Sequence, residues 1–335
     1  MWNALEFITG FGDMIWGDKK QKSAETQTSD AEFYLSETTP KKFAFRPTTL
    51  DQYIGQAKSK LLVKLNIKKV QTIKPVHFIL SGNAGCGKTT LANIIGYQLG
   101  FDISYQIGGT FTLEVLKDFL LKNEDNLKPM ILFIDEIHNL EKTVAEFMYP
   151  IVEDFLLPGS NAKIRPFIFM GATTEKFTLI KKFKPLVDRC GADIVLQEYI
   201  ADDMKEILKQ YNNQLYKADI TEEVYDIIAK NGRYTPRITL ALFDDYIVCK
   251  DINQVLEAHR IIQDGLTDMD IKILEHLQEI EKPVGEETLA IISGTDKANY
   301  KLVIEPYLIV RNYISRTSRG RVITNRGRQL LQELK

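Results

Sequence analysis

Short apolar runs alternate with longer stretches of helical spacing between about residues 42 and 198. His77–Leu80, Met130–Ile134 and Pro166–Met170 predict buried strands, and Thr90–Ile95 opens an amphipathic helix. That alternation predicts an α/β domain on a parallel sheet covered on both faces. From Tyr199 to Gly265 the apolar positions fall at helical intervals, through Met204, Ile207, Leu208, Tyr211, Val224, Ile227 and Ile228. A third segment begins at Leu266 with Ile271, Leu274, Leu277 and Ile280 at helical spacing. It ends in alternating residues around Leu308–Arg311 and Arg321–Thr324, the pattern of a small helical domain closed by a β-hairpin. The expected divisions are residues 1–41, 42–198, 199–265 and 266–335.

The first division breaks the pattern. Both tryptophans of the chain, Trp2 and Trp16, lie here with Leu5, Phe7, Ile8, Phe11, Met14 and Ile15. Glu6 and Asp13 interrupt the run, and it has neither a basic start nor a small-residue cleavage site, so it is not a secretory signal. Asp18 to about Glu32 has the polar composition of a flexible linker. An apolar peptide on such a tether is either a docking peptide or a segment that folds back on its own core.

Composition narrows the classes. The chain has 335 residues, 44% hydrophobic and 26% charged, which is ordinary for a soluble protein with two or three domains. A net charge of −2 excludes a global basic field, so any nucleic-acid site must be local. The three cysteines (Cys86, Cys190, Cys249) are far apart and lack metal spacing, and the four histidines are scattered. This suggests a reducing cytoplasm, with no disulfide or zinc framework. No apolar run approaches a membrane span.

The chemistry begins at Gly82-Asn83-Ala84-Gly85-Cys86-Gly87-Lys88-Thr89, a complete G-x-x-x-x-G-K-T loop between a strand and a helix. Gly82, Gly85 and Gly87 let backbone N–H groups turn inward onto phosphates. Lys88 adds a point charge there, the Thr89 hydroxyl takes a Mg²⁺ position, and Thr90 opens the helix whose N-terminus faces the phosphates. A nucleoside triphosphate, ATP, is the expected ligand. The run Met130–Ile134 ends in Asp135 and Glu136, the metal-holding and water-activating carboxylates of such a site. Thr174, closing Gly171–Thr174, offers a hydroxyl toward the γ-phosphate or the attacking water. Arg189 and Arg237 are planar cations suited to charge developing on γ-oxygens, although each alone reads more readily as a surface arginine. Between Lys297 and Lys335 nine basic residues face only Glu305 and Glu333. Arg316-Thr317-Ser318-Arg319-Gly320-Arg321 has a turn's composition, with arginines placed to reach adjacent phosphates of DNA.

With these residues in order, the chain resembles the RuvB family, ATPase motors of Holliday-junction branch migration. The resemblance runs from about Phe45 to the C-terminus. It rests on Phe45-Arg46-Pro47, Leu50–Gln56, the phosphate loop, Asp135–His138, Tyr149-Pro150 with Glu153–Phe155, Gly171–Thr174, Pro185–Arg189, Thr235–Arg237, Glu305–Ile309 and Arg316–Arg321. It implies an AAA+ P-loop ATPase domain, a helical lid and a C-terminal winged helix, assembled as a homo-hexamer around duplex DNA. It assigns Phe45, Arg46, Tyr53 and Ile54 to the base and ribose side, and Tyr199 to the lid hinge. Arg189 becomes an arginine finger in a neighbour's site, Arg237 the lid's sensor, and Arg316, Arg319 and Arg321 the DNA contacts of the wing.

Three departures stand out. Leu156–Arg165 is shorter than the family's hairpin that docks the junction-binding partner RuvA. Val187 replaces a further family arginine, and the tryptophan-bearing N-terminal segment is unusual. They point to a divergent relative, as from a phage or mobile element, with RuvA or a substitute as partner. Two other readings stay open: a clamp-loader-like ATPase, which a basic winged helix disfavours, and an ATP-gated DNA-binding adaptor, which Glu136 and Arg189 disfavour.

Overall fold

A computed structural model describes residues 45–160 and 162–334, in two compact units that divide between Tyr199 and Ile200. The N-terminal peptide and linker expected at 1–41 lie outside the described residues.

The first unit is built on five strands: β1 (Phe78–Ser81), β2 (Asp102–Ile107), β3 (Met130–Asp135), β4 (Ile168–Thr173) and β5 (Ala192–Val195). Their order is β2-β3-β4-β1-β5 and every pair is parallel. The inner strands β1 and β4 are buried at every residue, which is why they read as unbroken apolar runs. Of the edge strands, β5 alternates buried and exposed positions, and β2 has no fully buried residue. Phe111, Leu116, Phe119, Leu132, Ile134, Val144, Met148, Ile151, Phe167 and Phe169 are among the residues joining helices to the sheet in one core. Because the strands are parallel, the C-terminal ends of β3, β4 and β1 lie side by side along one edge, where open α/β sheets bind ligands.

The stretch Leu156–Arg165 forms a tight turn closed by one antiparallel bridge between Leu156 and Lys163. Leu157 and Ile164 turn inward to join the core. The Arg165 guanidinium donates to the carbonyls of Asn123 and Asn126, tying the turn to the end of the helix Leu113–Asp125.

His77, just before β1, bridges two elements. Its Nε2 lies 2.8 Å from Val152 O, and its Nδ1 accepts from Phe169 N–H at 2.9 Å. This arrangement needs a neutral ring, and burial lowers its pKa to about 4 despite the Val152 bond. The unfolded chain, with an ordinary histidine pKa near 6.5, takes up a proton first as pH falls. The contribution is therefore fully present above about pH 6.5 and is lost on the way down to pH 4, at most about 3 kcal/mol. Denaturant melts of the full chain between pH 7 and 4 should show this loss. His77→Gln should be less stable at pH 7 and flatter across that window; an equal pH slope would remove His77 as the cause.

The second unit starts with four helices, Ala201–Leu215, Glu222–Asn231, Pro236–Cys249 and Ile252–Ala258, and a short ribbon of β6 (Ile261–Gln263) and β7 (Leu266–Thr267). The helix Asp268–Ile280 follows under a capping box formed by Thr267 and Asp270. Helices Glu286–Ile292 and Glu305–Val310, the hairpin of β8 (Ile314–Thr317) and β9 (Gly320–Ile323), and the helix Asn325–Glu333 complete a winged-helix arrangement. Their shared core includes Leu266, Leu274, Leu277, Tyr300, Leu308, Ile314 and Leu331.

One expectation shifts here. Leu308–Arg311 falls on the end of a helix instead of a strand, because Pro306 sits in that helix's first turn and Leu308 is buried in the core. The hairpin begins three residues beyond it. The residues expected as lid and as winged helix share one unit. Arg233 explains the join: it donates to Gly265 O at 2.8 Å, pairs with fully buried Asp270 and lies over the Tyr307 ring.

Candidate functional site

The phosphate loop leaves β1 and enters the helix Lys88–Leu99, with Gly82, Gly85 and Gly87 all at positive φ. At Gly87 this freedom is combined with crowding: a Cβ would lie 2.6 Å from the Tyr53 hydroxyl oxygen. Lys88 is buried within the loop, its Nζ donating to Gly82 O at 2.9 Å and Asn83 O at 3.0 Å. An ammonium has three donors, so one remains for a phosphate oxygen.

Two tyrosines brace the loop from behind. The hydroxyls of Tyr53 and Tyr199 both donate to Cys86 O, at 3.4 and 3.2 Å. Burial, with Tyr199 next, pushes the Tyr53 pKa well up, so Tyr53 stays a neutral donor. Tyr53, which the resemblance assigns to the base and ribose side, and Tyr199, which it assigns to the lid hinge, both hold the loop's backbone. Phe45 and Ile54 are half-buried, and Arg46 is exposed, near enough to Tyr105 to lower that phenol's pKa electrostatically against the larger upward effect of burial.

The carboxylates stand at the tip of β3. Glu136 adopts φ 47, a left-handed conformation that costs energy for a non-glycine residue, and its N–H donates to Asp135 Oδ1 at 3.0 Å. Its Oε2 accepts from Thr174 N–H at 3.2 Å and from the Thr174 hydroxyl at 2.9 Å. His138 Nδ1 sits 3.2 Å from the same oxygen and 2.9 Å from Thr173 Oγ1. Since Gly82 N–H donates to Thr173 O at 3.3 Å, β4 couples the acid directly to the phosphate loop. Lys88, Asp135, Glu136 and Thr174 thus share one edge of the sheet. His138, which the sequence reading left without a role, belongs to this group; its signal was its place in Asp135–His138.

Gly108 sets the strained acid in place. A Cβ there would lie 2.4 Å from Glu136 O. Gly108→Ala is expected to displace the acid and lower turnover by about 10², the usual scale for a misplaced reacting group, with nucleotide affinity retained. Steady-state kinetics beside equilibrium nucleotide binding checks this split.

Arg189 caps the helix Lys176–Asp188 at some distance along the chain from these groups. Its Nε donates to Glu153 Oε2 at 2.8 Å, its Nη1 donates to Pro185 O at 2.7 Å, and its guanidinium lies 5.1 Å from the centre of the Tyr149 ring. Sequence reasoning quoted Tyr149 and Glu153 without seeing that they hold this arginine. Arg237 occupies the exposed first turn of the helix Pro236–Cys249 in the second unit.

The wing divides its arginines. Arg319 is exposed at the turn between β8 and β9. Arg316 and Arg321 both donate to Glu305, and Arg321 also donates to Glu286. No group of three or more histidine, cysteine or acidic side chains able to hold a metal occurs among the described residues.

Comparisons with known proteins agree with the architecture. Residues 45–196 match the family described as the Holliday junction DNA helicase RuvB P-loop domain, and residues 263–332 match the RuvB C-terminal winged helix domain. The chain is 34% identical over 307 residues to the Holliday junction branch migration complex subunit RuvB of Thermotoga maritima, covering 84% of this chain and 90% of that protein. It is 32% identical over 303 residues to the subunit of the same name from Mycoplasma genitalium, covering 85% and 97%. A solved structure of the Thermotoga maritima RuvB Holliday junction branch migration motor superposes with a TM-score of 0.73, at 32% identity, over 86% of this chain and 98% of that one.

Proposed function

This chain belongs to the RuvB family, and from that membership we propose that it is an ATP-driven motor of Holliday-junction branch migration in recombination and repair. The observation that carries the reading is the shared edge of Lys88, Asp135, Glu136 and Thr174 in a chain that also has a basic winged helix. Lys88 and the loop N–H groups bind the β- and γ-phosphates of ATP. Glu136 orients a water and takes its proton as the oxygen attacks the γ-phosphorus, and ADP leaves with the β–γ bridging oxygen. Thr174 aligns Glu136, and Arg189 of a neighbouring protomer, with Arg237, meets the charge on the transferring group.

The donor set suits Mg²⁺. Thr89 and Asp135 supply hard oxygens that would hold the ion, which would neutralise phosphate charge. No further step depends on other metal ligands from the protein.

The division into large ATPase domain (42–198), lid (199–265) and winged helix (266–335) is part of the same proposal, supported by the two matched regions. So are a homo-hexameric ring on duplex or four-way DNA and a cytoplasmic site of action. Cys190 and Cys249 are free thiols, and no helix among the described residues is long and apolar enough to cross a membrane. The inward turn of Leu157 and Ile164 leaves little apolar surface on the Leu156–Arg165 turn for a RuvA-type contact, which favours a substitute partner. Electron microscopy of the protein with a non-hydrolysable ATP analogue and a four-way junction tests the assembly. Rings with duplex arms through the centre support it, and monomers on the junction oppose it.

A further inference from the structure

The three wing arginines are chemically alike in sequence, but one buried carboxylate separates them. Glu305 has no exposed side-chain surface, and it opens the helix Glu305–Val310 beneath the hairpin. It receives a two-pronged contact from Arg316, Nε to Oε1 at 2.9 Å and Nη2 to Oε2 at 2.7 Å, and a second Nε donor from Arg321. Arg321 is only 14% exposed. Its Nη2 donates to Glu286 at 2.8 Å, and Lys297 meets that same acid at 2.8 Å. The backbone at this point is also fixed, since Arg321 and Val284 exchange both N–H···O bonds, at 2.9 and 2.8 Å. Arg316 differs because 53% of its side chain stays exposed.

We propose that Glu305 is a positioning residue which sorts the wing's cations: it locks Arg321 into the fold and aims Arg316, leaving Arg319 and the outer edge of Arg316 to meet DNA phosphates. The inference rests on the DNA-binding reading of the wing. A buried carboxylate with no partner is costly, so Glu305 requires at least one arginine at all times. Arg321 divides its Nε and Nη2 between two carboxylates and lies inside; releasing it to a phosphate would take one partner from Glu305 and one from Glu286 together. Arg316 can contact a phosphate with its remaining N–H groups while its fork stays on Glu305, because a guanidinium carries five donors. Burial alone would raise the Glu305 pKa. The hydrogen bonds and charges of Arg316 and Arg321 outweigh it and hold the carboxyl below its ordinary value, so the anchor remains an anion. The hairpin is thereby held as a stiff finger with its free charge at the tip.

The test uses the full chain, duplex DNA and two readouts, the salt dependence of binding and the thermal midpoint. Arg319→Ala should flatten the slope of log affinity against log salt by about 0.9 and keep the midpoint. Arg321→Ala and Glu305→Gln should lower the midpoint, by several degrees or more, and Arg321→Ala should keep the slope. Where Arg321→Ala does not fold, Arg321→Lys serves. It keeps the charge but cannot bridge Glu305 and Glu286 as a fork, so it should melt earlier with an unchanged slope. The proposal is overturned if Arg321→Ala flattens the slope at an unchanged midpoint, or if Arg321→Lys melts like the parent. If Arg319→Ala keeps the full slope while the Arg321 and Glu305 variants still melt early, the DNA reading of the wing fails and the ion cluster stands.

Discussion

Replacing Glu136 with glutamine should leave ATP bound but slow its hydrolysis by about 10²–10⁴, the usual cost of losing a positioned general base. Glutamine keeps the size and an acceptor oxygen, so the contact with the Thr174 N–H and hydroxyl survives. What disappears is the capacity to take a proton. Lys88→Ala gives the opposite phenotype. The ammonium is held by two loop carbonyls, at 2.9 and 3.0 Å, and without it the loop loses its only buried cation among the described residues. Nucleotide affinity should fall about 10- to 100-fold, the worth of a charge-assisted hydrogen bond to phosphate, and turnover with it. Equilibrium binding of a fluorescent ATP analogue alongside phosphate release separates the two. Normal hydrolysis by Glu136→Gln would show that another group activates the water.

Arg189→Ala should keep ATP affinity close to the parent's and lower hydrolysis by roughly 10³ or more, the scale of an arginine finger acting in trans. Within its own chain the guanidinium is held on Glu153, Pro185 O and the Tyr149 face, and the role proposed for it is in the site of a neighbouring protomer. Mixing is the sharper check. Lys88→Ala protomers keep the finger, and Arg189→Ala protomers keep the phosphate loop. Rings containing both should therefore regain part of the activity that neither has alone. A verified mixed oligomer with no recovery would place the arginine's effect inside its own protomer.

Much of the site was legible because its chemistry is local. Gly82–Thr89 and Asp135–Glu136 each lie within a few consecutive residues, bounded by strands whose full burial writes an apolar run. The edge strands were harder. Asp102–Ile107 mixes polar and apolar residues because none of it is fully buried, and Ala192–Val195 carries the exposed Asp193 between buried Ala192 and Ile194. Both lack the run that marked β1, β3 and β4. The helix at Glu305–Val310 was mistaken for extended structure because four apolar residues in succession carry no period of their own. Long-range pairing was beyond reach. Glu305 stands 11 and 16 residues from the arginines it holds, and Glu153 is 36 from Arg189; only the fold brings each pair together. The same holds for Tyr53 and Tyr199, which converge on one carbonyl of the phosphate loop across the sheet's edge.

The central claim is that hydrolysis at this site moves DNA. A synthetic four-way junction with homologous arms, labelled on one strand and saturated with protein, tests it most directly. The account predicts that ATP converts the junction into two duplex products, that the non-hydrolysable analogue does not, and that Glu136→Gln binds the junction without converting it. Rapid DNA-stimulated hydrolysis by the parent protein with the junction left intact would contradict the motor and favour an ATP-gated adaptor.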